Sequence, residues 1–253
     1  MKRPLFLLIL FIFLNFNLEA QKRSFKSKSN AKPITVQKSA ANSDKAIVVD
    51  ERLAVLRNAP SLFAKPIQRM RRGRSVTISA IKEADGVTFY RVTAVPKLTG
   101  WVQKEAVAGN LRRGDDERLA RLVQGSDGFE QIERARIFLE NFTDSAFRPS
   151  ILLLFGDLME EIALKLSAEA AKRLSRREMA ASGAPLHSFY LNYSRLDRYQ
   201  KLKIVFLFNS DTKLFHYNGA SWRELIEKYS TTNEAAEAQK RMDALKEKME
   251  AVK

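Results

Sequence analysis

The sequence predicts an α+β protein: a small β-barrel followed by an α-helical domain that carries an inserted β-hairpin. Two observations support this. Apolar residues recur at every second position over residues 46–110, then at the three-and-four spacing of helices over 111–253. A third observation sets these parts apart from what precedes them. Residues 1–20 and 21–45 have leader and linker compositions rather than core-forming ones.

In the leader, Lys2 and Arg3 precede an unbroken apolar run over residues 5–14, the length of a signal-peptide core. Asn15, Asn17 and Glu19 stop the run short of the roughly 20 apolar residues that a spanning helix needs. Residues 1–20 are therefore expected to be a signal peptide cut before Gln21, making the protein periplasmic or secreted. An uncleaved inner-membrane anchor is the alternative.

Residues 21–45 are rich in Lys, Ser, Asn and Ala and hold one isolated Phe25. Such a segment cannot bury enough apolar surface to offset its ordering entropy, so a basic disordered linker is expected. The whole chain carries a formal charge of +15, with +6 in residues 21–45 and +6 in 46–110 but only +2 in 111–253. Basicity thus belongs to the linker and the first domain. It suits weak, salt-sensitive contact with anionic surfaces, and export argues against nucleic acid as the polyanion.

In the first domain, Val76, Ile78 and Ala80 alternate with Ser75, Thr77 and Ser79. Val87, Phe89 and Arg91 alternate with Thr88, Tyr90 and Val92. Asp85-Gly86 between the two runs is a tight-turn signal, Arg71-Arg72-Gly73-Arg74 is another, and Gly100-Trp101-Val102 opens an aromatic strand. Five or six short strands over about 60 residues suit a small barrel.

The succession Leu56-Arg57-Asn58-Ala59-Pro60-Ser61, Arg72-Gly73-Arg74-Ser75-Val76, Phe89-Tyr90-Arg91-Val92 and Gly100-Trp101-Val102 resembles the bacterial SH3-like domain over residues 50–108. The resemblance implies binding of cell-wall peptides or of proline-containing and other extended peptides, without catalysis. The tryptophan usual in the family's central strand is replaced here by Phe89-Tyr90. Candidate ligand-binding residues are Trp101, Tyr90 and the arginines Arg69, Arg71, Arg72 and Arg74. Trp101 reads either as a stacking platform or as a barrel-core aromatic. The arginines read either as a solvated loop or as an anion site.

In the second domain, helices are expected over 117–124 and 128–142, the latter with Phe129, Ile132, Ala135, Leu139 and Phe142 on one face. Asp144 or Ser145 can cap the next helix, with Pro149 in its first turn. Its apolar stripe from Ile151 to Leu166 is too wide for a surface helix, so it should be buried, with Gly156 admitting a close neighbour. Ser182-Gly183-Ala184-Pro185 breaks the pattern. Residues 204–208 and 213–217 flank Asn209-Ser210-Asp211-Thr212 as a hairpin, a continuous helix being the alternative. Trp222, Leu225, Ile226 and Tyr229 line one further helix, and Ala235, Ala238, Met242, Leu245, Met249 and Val252 line the last.

An internal echo links residues 138–145 (FLENFTDS) with 225–232 (LIEKYSTT). Each runs apolar pair, acidic residue, aromatic, then polar cluster. This resembles divergent tetratricopeptide repeats and implies a surface for a partner protein.

No cysteine is present and only two histidines, His187 and His216. Thiolate metal sites, disulfides and Cys-His nucleophiles are excluded. No phosphate-binding loop, nucleophile elbow or zinc-protease motif occurs, and no cofactor is expected. Both histidines read as structural or exposed, and Glu160-Glu161 and Asp115-Asp116 as helix-face and cap residues. Asn141-Phe142-Thr143 and Asn192-Tyr193-Ser194 match the glycosylation acceptor pattern. The expected function is that of a non-catalytic envelope adaptor. A membrane-surface accessory protein and a carboxylate hydrolase are the competing readings.

Overall fold

The computed structural model describes residues 44–95, 98–173, 191, 196–200 and 202–250. The leader, linker residues 21–43, the 182–185 break, His187, Asn192-Tyr193-Ser194 and Val252 lie outside the described residues.

Seven strands form one antiparallel sheet: β1 (Lys45–Val48), β2 (Val55–Arg57), β3 (Pro66–Arg69), β4 (Ser75–Ala84), β5 (Val87–Ala94), β6 (Leu98–Gln103) and β7 (Val107–Gly109). Their order is β3-β2-β6-β5-β4-β1-β7, with a short 3-10 turn, Lys104–Ala106, leading from β6 into β7. The expected closed barrel does not form. β1 spends its two edges on β4 and β7, and among the described residues no strand pairing joins β3 to β7. Asp85-Gly86 makes the β4–β5 turn with φ of 53° and 72°, the paired positive values of a tight hairpin.

Residues in register share a face. One face turns Leu56, Val76, Ile78, Tyr90, Val92, Ala94 and Val102 into an apolar core completed by Ala46, Val48, Met70 and Val107. The alternation expected for β5 is therefore corrected: Tyr90 and Val92, not Val87 and Arg91, share the core with Val76 and Ile78. β5 keeps one phase throughout, and the bulge between Ile78 and Ala80 shifts β4 alone. It moves Ala80 into register with Arg91, outside the core, and lets Ile81 turn inward beside Tyr90.

The opposite face is divided. At the β1–β7 end Ile47 and Ala108, with Val49 just beyond β1, join the core of the helices. Towards β6 and β2 it stays half-exposed or exposed, apart from Phe89 of β5, which is fully buried.

Six helices are described: α1 (Asp115–Gln124), α2 (Gly128–Asn141), α3 (Arg148–Arg173), α4 (Asp197–Gln200), α5 (Ala220–Lys228) and α6 (Asn233–Glu250). The hairpin between helices forms as the sequence predicts, β8 (Phe206–Asn209) pairing with β9 (Leu214–Tyr217). Helix α3 packs against α2, α5, α6 and β9. Ile151, Leu152, Phe155, Met159 and Ala163 are buried along it, as its wide apolar stripe requires. Gly156 admits the expected neighbour. A β-carbon there would sit 2.7 Å from the Ser221 hydroxyl and would also strike the Trp222 indole.

The sequence echo has a structural counterpart. The Phe142 amide donates to the Phe138 carbonyl (2.9 Å) and, at the equivalent place, Tyr229 to Leu225 (2.9 Å). The Arg148 amide then donates to the Ser145 carbonyl (3.0 Å), as Ala235 does to Thr232 (3.2 Å). The same backbone bonds thus end α2 and α5, while the starts differ: the Ser145 hydroxyl accepts from the Phe147 amide (3.2 Å) and the Thr232 hydroxyl from the Ala235 amide (3.2 Å).

Candidate ligand-binding face

The uncovered part of the sheet centres on Trp101. Its register partners are Arg57 on β2 and Arg91 on β5, so one aromatic ring stands between two guanidinium side chains on one face. Trp101 is half-buried and Arg91 exposed, while Gly100 and Val102 on either side of the tryptophan are buried. Gly100 is required beside β2, because a β-carbon there would lie 2.7 Å from both the Arg57 carbonyl and the Leu56 side chain. Arg57 donates Nη1 to the Ala64 carbonyl (2.8 Å), and its Nε is buried without a hydrogen-bond partner.

Two exposed apolar side chains stand beside this row: Phe63, 89% exposed, in the β2–β3 loop, and Ile67, 44% exposed, at the β3 bulge next to Arg57. The loop is tied to the β4–β5 turn by Asp85, which accepts from the Ser61 hydroxyl (2.6 Å) and the Leu62 amide (2.8 Å). These bonds, the Ser61 bond foremost, hold the Asp85 carboxyl below its ordinary range.

The other sequence-derived candidates do not join Trp101. Tyr90 is 5% exposed, inside the sheet's core, where burial pushes its phenol above the usual range. It is removed from any ligand surface. The four arginines disperse. Arg69 donates to the Glu51 and Arg52 carbonyls (3.0 and 3.1 Å) and Arg74 to the Val95 carbonyl (2.6 Å), while Arg71 is exposed and forms no ion pair among the described residues.

Arg72 turns toward the helices. It pairs with Glu130 (2.9 Å) and Glu133 (2.8 Å) of α2, and its amide donates to Glu51 (2.8 Å). Arg69, Arg72 and Arg74 are thus structural ties, and Arg71 stands apart from them.

Sequence reasoning missed the junction that Arg72 belongs to. Arg134 of α2 is 3% exposed, lies 2.6 Å from Glu130 and 3.7 Å from Asp50, and donates Nε to the Val49 carbonyl (3.2 Å). Burial lowers its guanidinium pKa while Glu130 opposes that shift. The signal was present in the sequence: an arginine between Ile132 and Ala135 of an apolar helix, four residues after a glutamate. A second tie sets β7 on α1. Asp115 accepts from the Gly109 amide (3.0 Å), Arg112 (2.8 Å) and Arg118 (3.1 Å), and Arg118 also donates to the Val107 carbonyl.

In the helical part, Glu160 is more than a helix-face residue. It accepts from the Tyr217 amide (2.8 Å) and Lys248 (2.9 Å), and lies 2.8 Å from His216 Nδ1. Burial alone would raise this carboxyl, but the His216, Lys248 and Tyr217 bonds outweigh it and leave the group below its usual range. His216, 3% exposed, is structural as the sequence suggests.

Among the described residues no three His, Asp or Glu side chains are grouped to hold a metal ion, and no helix is long and apolar enough to cross a membrane. Protein-family models, curated proteins and solved structures offer no match to this chain.

Proposed function

We propose that the protein is a non-catalytic, exported envelope adaptor, whose SH3-like sheet binds cell-wall or other extended peptides while a tetratricopeptide-like helical part holds a partner protein. The observation that carries the reading is the Arg57–Trp101–Arg91 row with Phe63 and Ile67 beside it. An indole between two guanidinium groups suits an extended ligand that offers apolar groups for stacking and carboxylates for charge-assisted bonds. The peptides of bacterial walls have that chemistry. For the helical part, support comes from the echoed backbone bonds of α2–α3 and α5–α6.

Co-sedimentation with purified peptidoglycan sacculi tests the sheet. Binding that persists at high salt, survives removal of residues 21–43 and falls at least about tenfold (about 1.4 kcal/mol) in Trp101→Ala is the expected result. Binding abolished by salt, or by loss of the basic segment alone, would leave only nonspecific attraction and reject the proposal.

A further inference from the structure

Beside the tryptophan row the same face carries a second, polar one. Lys45, Thr77, Thr93 and Thr99 stand in mutual register on four adjacent strands, β1, β4, β5 and β6. All four are exposed, and they span about 14 Å at the usual strand spacing. Thr93 and Thr99 share a hydrogen bond (3.1 Å). The row runs into a hollow of about 430 Å³ where the sheet meets the end of α2. A second hollow, of about 290 Å³, continues along the α2–α3 loop, and Gly109, Asn110 and Asn141 line both.

The chemistry of this groove differs from that of the tryptophan row. Its polar lining mixes charged groups, Lys45 and Glu140 in the first hollow and Arg112, Arg113, Asp116 and Asp144 in the second, with the hydroxyls and amides of Ser75, Thr77, Thr93, Asn110, Asn141 and Thr143. Of its apolar neighbours Ala108 lies on this face, whereas Ala46 and Val76 turn their side chains into the sheet's own core. Among the described residues, the side chains of Ser75, Thr77, Asn110 and Thr143 form no hydrogen bond. Asn141 donates Nδ2 to the Ile137 carbonyl (2.7 Å), which leaves its oxygen as an acceptor.

An elongated hollow with paired amide donors and acceptors and hydroxyls along one wall fits a sugar chain bearing acetamido groups. Sugar hydroxyls exchange hydrogen bonds with threonines, and the acetamido N–H and C=O meet asparagines.

We infer that the groove from Thr99 across to Thr143 binds an oligomer of N-acetylated hexosamine. The inference deepens the wall-binding proposal and rests on it: the tryptophan row takes the peptide and the groove takes the sugar strand to which such peptides are attached.

The test is titration of the full chain with chitotetraose, followed by amide chemical shifts, with maltotetraose as the comparison sugar. Saturable shifts are expected at Thr77, Thr93, Asn110 and Asn141, with Kd on the order of 1 mM. Thr77→Val/Thr93→Val keeps the β-branched shape and removes two hydroxyls, and should weaken binding about fivefold with an unchanged melting curve. Asn110→Ala, an exposed change, should weaken it comparably. Absence of saturation in the wild type, equal binding of maltotetraose, or unchanged affinity in both variants would overturn the inference. Should the sugar fail to bind while Trp101-dependent sedimentation persists, the inference falls and the proposed function stands. Sugar binding without sacculus binding would instead remove the wall-binding reading.

Discussion

The sheet and the helices treat charge in opposite ways. In the helical part, charged groups withdrawn from water come in closed sets: Glu160 with His216 and Lys248, and Arg148 with Glu224 (2.7 Å) and the Leu139 carbonyl (2.7 Å). On the uncovered part of the sheet, Arg57, Arg91 and Lys45 form no ion pair among the described residues. Residues 46–110 hold a net +6 and 111–253 a net +2, so the imbalance follows the architecture. Helices that pack around α3 must neutralise what they bury. A sheet face left open can keep its cations for something else.

The comparison breaks if the buried sets prove dispensable. Glu160→Ala leaves a buried histidine, a lysine and the Tyr217 amide without their acceptor, and should cost about 4 kcal/mol, read as a fall in denaturation midpoint. Arg134→Ala strips the sheet–helix junction, leaving Asp50 and Glu130 partly desolvated, and should cost about 3 kcal/mol by the same measurement. An effect below about 1 kcal/mol in either variant would mean these sets behave as surface pairs.

Acid should reach the helical part through the same groups. Glu160 and Glu224 both have folded pKa values below the ordinary 4.5. For Glu224 burial pushes upward, and Arg148 and then Lys228 more than offset it. Carboxyls lowered by folding stabilise above their unfolded pKa and lose that contribution as pH falls through the folded value. The melting temperature should therefore hold steady from neutral pH down to about 5 and drop below about 4.5. Glu160→Gln, already lacking the charge, should show a shallower drop.

The smallest stability effect sharpens the contrast from the other side. Trp101→Ala, on a half-exposed site, should change stability by under about 1 kcal/mol in chemical denaturation while removing most sacculus binding. A large loss of stability would make Trp101 a packing residue and return the sheet to the same category as the helices.

Much of the fold was legible in the sequence because it depends on local pattern. The helices expected over 117–124 and 128–142, and the next one capped at Asp144 or Ser145, follow from caps and apolar spacing, and the hairpin follows from the runs 204–208 and 213–217 around Asn209-Ser210-Asp211-Thr212. The candidate site was legible only in part. Trp101 was visible as an aromatic after a glycine, but its arginine neighbours were not, because Arg57 and Arg91 are 44 and 10 positions away and only strand register brings them together. Tyr90 was misplaced because Phe89, Tyr90 and Val92 are all apolar and leave the phase of β5 open, and no composition signal marks the bulge at Ser79 that shifts β4.

The sequence by itself determined the class, the change from strand to helix near residue 110, the repeated pattern of 138–145 and 225–232, and the concentration of positive charge before residue 110. These rest on propensity, periodicity and charge, which act over a few residues. Tertiary structure alone decided which face of the sheet the helices cover, that Arg72 faces α2 while Arg91 faces solvent, and that Glu160 meets His216 and Lys248. Such choices depend on the burial of groups far apart in the chain. The energy of a buried charge depends on which partner packing brings within 3 Å of it, not on its sequence neighbours.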